Sequence, residues 1–256
     1  MCDATMSSED ITRLREAQLE RFDDDIPFWI GLAETIGSPI LELGCGTGRV
    51  MIPLLLAGFS VDGLDSNPAV LDRLSSRMNS HNLNAGELHR GRMQEFCIER
   101  FYNLIISPCN TFSTLNKSDA TKTLENIIGH LMPKGTLVLD LPNPGYILDD
   151  DSQDEGVLAD SFIEPKTGNA CQVFTKQRYN PEASRMSVTW TYDELHPDGE
   201  VVRYEMTLSH FLRTPAQMEQ ILFTAGFSSV QIYGDYDRLQ FRPSAAHMLI
   251  RATHAS

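Results

Sequence analysis

Ile40-Leu41-Glu42-Leu43-Gly44-Cys45-Gly46-Thr47-Gly48-Arg49 is an apolar run that ends in a glycine-rich turn and leads into a helical pattern. Residues 39–43 read as a first buried strand. Glycines permit a tight turn and let a ligand approach the backbone closely, while the following helix start offers unpaired N–H groups. A dinucleotide-binding turn requires G-x-G-x-x-G or Ala. Here Arg49 stands where the helix must pack on the strand, and the spacing is G-x-G-x-G. Alone, such a turn marks only a strand-to-helix corner, so its surroundings have to decide its meaning.

Outward from the turn, short apolar runs alternate with helical patterns, the order expected when parallel strands are joined by crossover helices. Residues 47–57 carry helical apolar spacing and stop at Gly58, and residues 59–64 read as a second strand ending at Asp65. Asn67 caps the next helix with Pro68 at its first position, and Val70, Leu71, Leu74 and Met78 face inward. Residues 104–107 form a buried strand. Leu124, Ile127, Ile128 and Leu131 line another helix, Pro133-Lys134-Gly135 breaks it, and residues 136–141 are strand-like.

Near residue 157 the rhythm changes to strands separated by hairpin turns, at Asn180-Pro181-Glu182-Ala183 and His196-Pro197-Asp198-Gly199. The larger residues of 188–192 share one face, as do Val202, Tyr204, Met206, Leu208 and His210, which makes an antiparallel meander on an apolar support. Thr214 and Pro215 restart the α/β pattern, with Met218, Ile221, Leu222 and Ala225 inward and Gly226 at the helix end. Residues 227–233 and 246–252 are the closing strands.

The formal charge of −14, from 21 basic and 35 acidic residues, opposes contact with a phosphate backbone, and no Lys/Arg-rich run offsets it. Nucleic acid is therefore not an expected partner. The five cysteines are scattered and never stand at C-x-x-C spacing, so neither a disulfide framework nor a zinc site is expected. The Asp triplets at 23–25 and 149–151 read as solvated surface rather than a metal site. No secretory leader and no membrane-spanning run is readable, so a cytoplasmic location is expected.

Glu42 sits at the end of the first strand and Asp65 at the end of the second, 17 residues after Gly48. Adjacent parallel strands bring both carboxylates to one crevice, where open α/β sheets bind ligands. Asp65 can accept hydrogen bonds from both hydroxyls of a ribose, or it can cap the turn before Asn67-Pro68.

Taken in order over about residues 36–253, LELGCGTGR, GLDSNP, GRMQEF, IISPCNTFSTL, LMPKGTLVLDL and TPAQMEQILFTAGF together resemble class I S-adenosylmethionine-dependent methyltransferases. Within them the chain looks most like bacterial small-molecule enzymes, including N-methyltransferases of the aminosugar and glycine type. The resemblance implies a doubly wound, Rossmann-like α/β fold: a seven-stranded, mostly parallel sheet with an inserted antiparallel β-meander. It implies a helical lid segment (1–35), a cofactor-binding domain (36–156 with 213–256) and a meander (157–212) over the acceptor site. S-adenosylmethionine is the implied cofactor and a small molecule, methylated at N or O, the implied acceptor. Gly44, Cys45, Gly46 and Gly48 would line the methionine part, Glu42 its amino group, and Asp65 with Ser66 the ribose. Arg92 and Met93 would flank the adenine, and Ser107 with Pro108 would lie beside the transferred methyl. One departure is Arg92, where the family carries an acid: a guanidinium only donates, so adenine recognition would rest on backbone groups or stacking.

Methyl transfer is an in-line displacement in which the protein chiefly aligns the reactants and excludes water, so no catalytic acid is obligatory. A neutral amine attacks directly, whereas an alcohol or acid acceptor needs a base. The expected acceptor wall comprises the meander, Asn110, Phe22, Phe28 and Trp29, with Tyr192 and Tyr236 in reach. His210 is the candidate base by chemistry. A lone histidine on an apolar strand face is more often a packing residue, and Trp190, Tyr192 and Tyr204 likewise read first as meander core. Cys45 and Cys109 read as packing residues. The competing readings are a noncatalytic cofactor-binding protein of the same fold, raised by Arg92, and a Rossmann-type nucleotide-cofactor enzyme, raised by the shared crevice.

Overall fold

A computed structural model describes residues 8–83, 86–148 and 156–255, which fall into two compact units. One is drawn from residues 24–150 and 211–256, the other from residues 1–23 and 151–210. The chain begins with α1 (Ser8–Leu19) and α2 (Ile26–Ile36), followed by β1 (Ile40–Leu43), α3 (Met51–Leu56), β2 (Val61–Asp65), α4 (Pro68–Ser80), β3 (Leu88–Arg90) and β4 (Tyr102–Ser107). Next come α5 (Lys117–His130), β5 (Leu131–Pro142), α6 (Pro144–Leu148) and four strands of the second unit: β6 (Val157–Ile163), β7 (Ala170–Asn180), β8 (Arg185–Leu195) and β9 (Val201–Phe211). Helix α7 (Pro215–Ala225), β10 (Phe227–Tyr233) and β11 (His247–His254) complete it.

In the larger unit seven strands run in the order β10-β11-β5-β4-β1-β2-β3. The pairs β5-β4, β4-β1, β1-β2 and β2-β3 are parallel, and β11 is antiparallel to both neighbours. The central strands are buried on both faces, which is why they read as near-continuous apolar runs. Leu41, Leu43, Ile105, Leu137 and Leu139 pack on one face with Leu124 and Ile127 of α5 and Met218 and Leu222 of α7. Ile40, Leu104, Ile106 and Val138 pack on the other with Phe28, Trp29, Leu32 and Ala33 of α2 and Met51, Ile52, Leu54 and Leu55 of α3. Each fully buried large apolar side chain contributes roughly 1.5–3 kcal/mol. Reversal of strand order between β4-β1 and β1-β2 places a crevice at the carboxyl ends of these strands.

Local chemistry sets the element ends largely as expected. Asn67 caps α4 through Ala69 N, and Thr214 with Gln217 makes a reciprocal capping box on α7, which Gly226 ends at φ 112°. Three features differ. Helix α3 starts at Met51, not at residue 47, because Gly44, Gly46 and Gly48 hold φ of 72°, 53° and 89°, a left-handed backbone no helix propagates. The Pro133-Lys134-Gly135 segment does not separate helix from strand: β5 begins at Leu131 and carries a kink, with Lys134 at φ 64° and a register shift opposite Tyr102 and Leu104. Strand β3 is only Leu-His-Arg, too short to show a pattern.

In the second unit β6-β7-β8-β9 form an antiparallel sheet, as the turn chemistry demands. Leu14 and Ala17 of α1 share its apolar core with Phe162, Cys171, Val173, Tyr192 and Tyr204. Arg13 of α1 reaches Glu164 at 3.0 Å and Glu194 at 2.8 Å, two carboxylates with almost no solvent exposure. The Asp triplet at 149–151 lies outside the described residues. Among the described residues no helix is long and apolar enough to cross a membrane.

Candidate functional site

The glycine turn leaves β1 with Gly44 N and Cys45 N donating to Leu64 O, at 2.7 and 3.1 Å, so it is stitched to the end of β2. There Asp65 does two things. Its Oδ2 accepts from Gly46 N at 3.1 Å, bracing the turn, and its Oδ1 accepts from Asn67 N at 2.9 Å, fixing the entry to α4. The capping alternative for Asp65 is thus realised, while the carboxylate still borders an open cleft. That cleft is lined by Gly44, Leu64, Asp65, Ser66, Gly91, Arg92, Met93, Gln94, Thr111, Thr114, Leu115 and Asp119, and its free volume is about 690 Å³ counted out to its open mouth.

The three glycines differ in what they tolerate. A Cβ on Gly44 would collide with Thr111 Cγ2 and press on Met93 Cε at 3.2 Å, and one on Gly48 would collide with Leu74 Cδ1. A Cβ on Gly46 would meet nothing within 4 Å. Packing therefore explains glycine at 44 and 48, but the free space over Gly46 is room a ligand can use against the peptide.

Strand alternation places Glu42 on the Ile40 face and Asp140 of β5 on the Val138 face, where α2 and α3 pack. Glu42 is buried, Oε2 has no hydrogen-bond partner among the described residues, and burial pushes its carboxyl up to about 8 against the pull of Arg49. Ser107 Oγ, Asn110 Oδ1 and Asp140 Oδ1 are likewise buried without a hydrogen bond. Cys109 and Asn110, which follow β4, both hold left-handed φ, 55° and 59°, conformations that cost non-glycine residues energy and persist where surroundings impose them. An unsatisfied buried polar atom costs about 1–3 kcal/mol. Three of them, Glu42 Oε2, Ser107 Oγ and Asn110 Oδ1, at the carboxyl ends of β1 and β4, are groups a polar ligand can satisfy, while Asp140 Oδ1 stands 3.4 Å from His247 Nδ1.

The Asp23–Asp25 run is not uniformly solvated surface, which corrects its reading. Asp25 is fully buried, accepts from both Arg49 guanidinium nitrogens at 2.5 and 2.6 Å, and accepts from Trp29 Nε1 at 2.9 Å. A carboxylate so deep is held only by such a bidentate partner. Burial works against the Arg49 charge, yet its hydrogen bonds to Asp25 hold it above its ordinary value. Arg49 also donates to Cys109 Sγ at 2.8 Å, tying the turn after β1 to that after β4. Burial pushes the Cys109 thiol up to about 11, which leaves it a thiol.

Of the residues singled out from sequence, Gly44, Asp65, Ser66, Arg92 and Met93 share the one cleft. Glu42, Gly46, Ser107 and Asn110 stand at the strand ends beside the turn. Cys45 is buried, its Sγ packed over Gly63. Arg92 is 62% exposed and pairs with Glu95 at 3.4 Å. Trp29 is buried with its indole N–H taken by Asp25, so its visible task is to hold that carboxylate. Tyr192 and His210 belong to the other unit: Tyr192 is fully buried and donates to Gln18 Oε1 at 2.7 Å, and His210 is buried on β9. Asp119, in the first turn of α5, lines the cleft and was not singled out, since it reads from sequence as helix-start chemistry.

These residues fit an S-adenosyl nucleoside with an amino-acid tail. An acid borders the cleft for a ribose, a bare peptide faces open space for the tail, and buried Glu42 Oε2 lacks the partner that an ammonium would supply.

Residues 40–135 match the protein family described as a methyltransferase domain. The chain is 34% identical over 113 residues to a glycine/sarcosine N-methyltransferase of Halorhodospira halochloris, covering 43% of this chain and 42% of that one. It is 32% identical over 123 residues to an uncharacterised RNA methyltransferase of Parasynechococcus marenigrum (strain WH8102), covering 48% and 25%. The chain thus spans less than half the length of the curated relatives it matches. Among solved structures, the S-adenosylmethionine-bound amino pentose methyltransferase CalS10 of Micromonospora echinaspora aligns over 94% of this chain and 96% of its own, with TM-score 0.71 and 20% identity, a likeness of fold.

Proposed function

From a chain that carries a methyltransferase domain on the fold of class I S-adenosylmethionine-dependent methyltransferases, we propose an enzyme that methylates a small molecule at an amine nitrogen. The observation that carries this reading is the cleft between the glycine turn and Asp65, with free space over Gly46 and an unpartnered buried carboxyl at Glu42.

Bound S-adenosylmethionine would supply an activated methyl group on sulfur. Asp65 would hold the ribose hydroxyls, the N–H groups of the turn and Glu42 the amino-acid tail, and Met93 the adenine. Asp119, which also lines the cleft, would supply the acid that position 92 lacks, an acceptor for the adenine amino group. Ser107 and Asn110, with unpartnered buried oxygens at the end of β4, border the reacting centre. The chain's part in the displacement is alignment and the exclusion of water.

An amine acceptor is supported by the buried acid Asp140 near the carboxyl end of β5, which favours a cation. A nucleic acid is disfavoured by the charge of −14. A cytoplasmic location is supported by the free cysteines among the described residues, Cys45, Cys97, Cys109 and Cys171. The test is incubation of the chain with methyl-labelled S-adenosylmethionine and a cell extract, followed by mass spectrometry. Label in small amines is the expected result; label confined to RNA, or none, would overturn the proposal.

A further inference from the structure

Asp140, Tyr236 and His247 form a polar cluster outside the lining of the cofactor cleft, near the carboxyl end of β5. The register Leu249↔Asp140 between β11 and β5 sets His247 two residues further along, on the same face as Asp140. His247 Nδ1 stands 3.4 Å from Asp140 Oδ1, an oxygen buried without any hydrogen bond. Tyr236 donates from its hydroxyl to Asp140 Oδ2 at 3.1 Å, and its ring tilts over His247 with centroids 4.6 Å apart. The same Oδ2 accepts from Cys109 N at 3.2 Å, so the cluster is joined to the strained turn that follows Ser107 and Pro108. His247 Nδ1 also lies 3.4 Å from the Tyr236 oxygen, whose own hydrogen goes to Asp140 Oδ2, so both neighbours of Nδ1 can only accept; that assigns the proton to Nδ1 and leaves Nε2 as the basic nitrogen.

We propose that His247 is the proton acceptor for the substrate amine, with Asp140 and Tyr236 as positioning residues that set its tautomer and basicity. This rests on the methyltransferase reading above. The acceptor's ammonium gives a proton to His247 Nε2, and the freed nitrogen lone pair forms the new bond to the methyl carbon. The carbon–sulfur bond breaks with its electron pair remaining on sulfur, and the positive charge passes to the methylated nitrogen. His247 then returns its proton to water.

The groups facing His247 are Asp140 from β5, Tyr236 and Asp235 from the β10–β11 connection, and Asp25 ahead of α2. Burial works to lower the imidazole, but the neighbouring Asp140 outweighs it, so His247 is held above its ordinary value. A raised imidazole lies closer to an alkylammonium than a free imidazole does, within reach of proton transfer, whereas an alcohol lies far outside it. The cluster therefore matches an amine and not a hydroxyl acceptor.

Two readouts test it. In histidine-labelled protein, NMR titration is expected to place His247 above free imidazole and to move it down by about one pH unit in Asp140→Asn. In the labelled-extract assay, His247→Gln is expected to lose on the order of a hundredfold in rate. Its calorimetric affinity for S-adenosylmethionine should stay within twofold of wild type. The wild-type rate is expected to rise with pH through the His247 midpoint and to follow it downward in Asp140→Asn. A wild type that transfers no label removes the premise and the proposal together. A wild type that transfers label while His247→Gln keeps its rate and pH profile overturns the proposal alone, as does a His247 midpoint unmoved by Asp140→Asn.

Discussion

Glu42 illustrates how one residue can be read from sequence and yet behave otherwise than its type suggests. Its position at the strand end was legible from the apolar run before the glycines; its protonation was not, because burial and the neighbouring Asp25 and Asp65 charges arise only in the fold. With its carboxyl pushed up to about 8, Glu42 holds a proton near pH 7. The native state then binds a proton the unfolded chain has lost, so Glu42 lowers stability as pH rises from its unfolded value toward 8. An ammonium seated at Oε2 displaces that proton. Calorimetry in buffers of different ionisation enthalpy is expected to show close to one proton released per S-adenosylmethionine bound at pH 7, vanishing above pH 9 and in Glu42→Gln. Proton-neutral binding by wild type at pH 7 would contradict this. Asp25 was misread for a related reason: a run of three acids looks solvated, and only the approach of Arg49, 24 positions on, makes the third one buried.

At the scale of elements, turn and cap chemistry carried the reading. Asn67-Pro68, Thr214-Pro215 and Gly226 act within one turn, so they are visible in a single sequence. The start of α3 and the kink in β5 were not, because they follow from left-handed backbone at Gly48 and Lys134 that composition alone does not fix. The tie between α1 and its own sheet was also hidden, since Arg13 meets Glu164 and Glu194 across more than 150 positions. Removing Arg13 leaves two buried carboxylates facing each other, and Arg13→Met is expected to cost about 3–5 kcal/mol, read by chemical denaturation. Burial works to raise both acids, but hydrogen bonds from Thr167 to Glu164 and from Arg13 to Glu194 outweigh it and hold them below the usual range. Their contribution is therefore present above the unfolded carboxylate value and lost as pH falls through their lowered ones. In Arg13→Met the acid loss should begin at higher pH. A denaturation midpoint equal to wild type would refute the assignment.

At the scale of the whole molecule, the alternation of strand and helix and its replacement by hairpins near residue 157 were enough to predict six strands of the mixed sheet and a separate antiparallel one, while the seventh, β3, came only with the family resemblance. Those patterns have periods of 2 and 3.6 residues, which a sequence displays directly. The cleft residues from β1 and β2 were legible for the same reason, whereas Asp119 reads from sequence only as helix-start chemistry and the Asp140–Tyr236–His247 cluster depends on register between distant strands. The proposed function turns on the acid at the end of β2 holding the nucleoside of S-adenosylmethionine beside the glycine turn. Its most direct test is the calorimetric affinity for S-adenosylmethionine of wild type and Asp65→Ala, each checked for an intact thermal transition. Two hydrogen bonds to a carboxylate are worth roughly 3 kcal/mol together, so binding by Asp65→Ala is expected to weaken about a hundredfold. Equal affinity in the two proteins, or no binding by wild type, would contradict it.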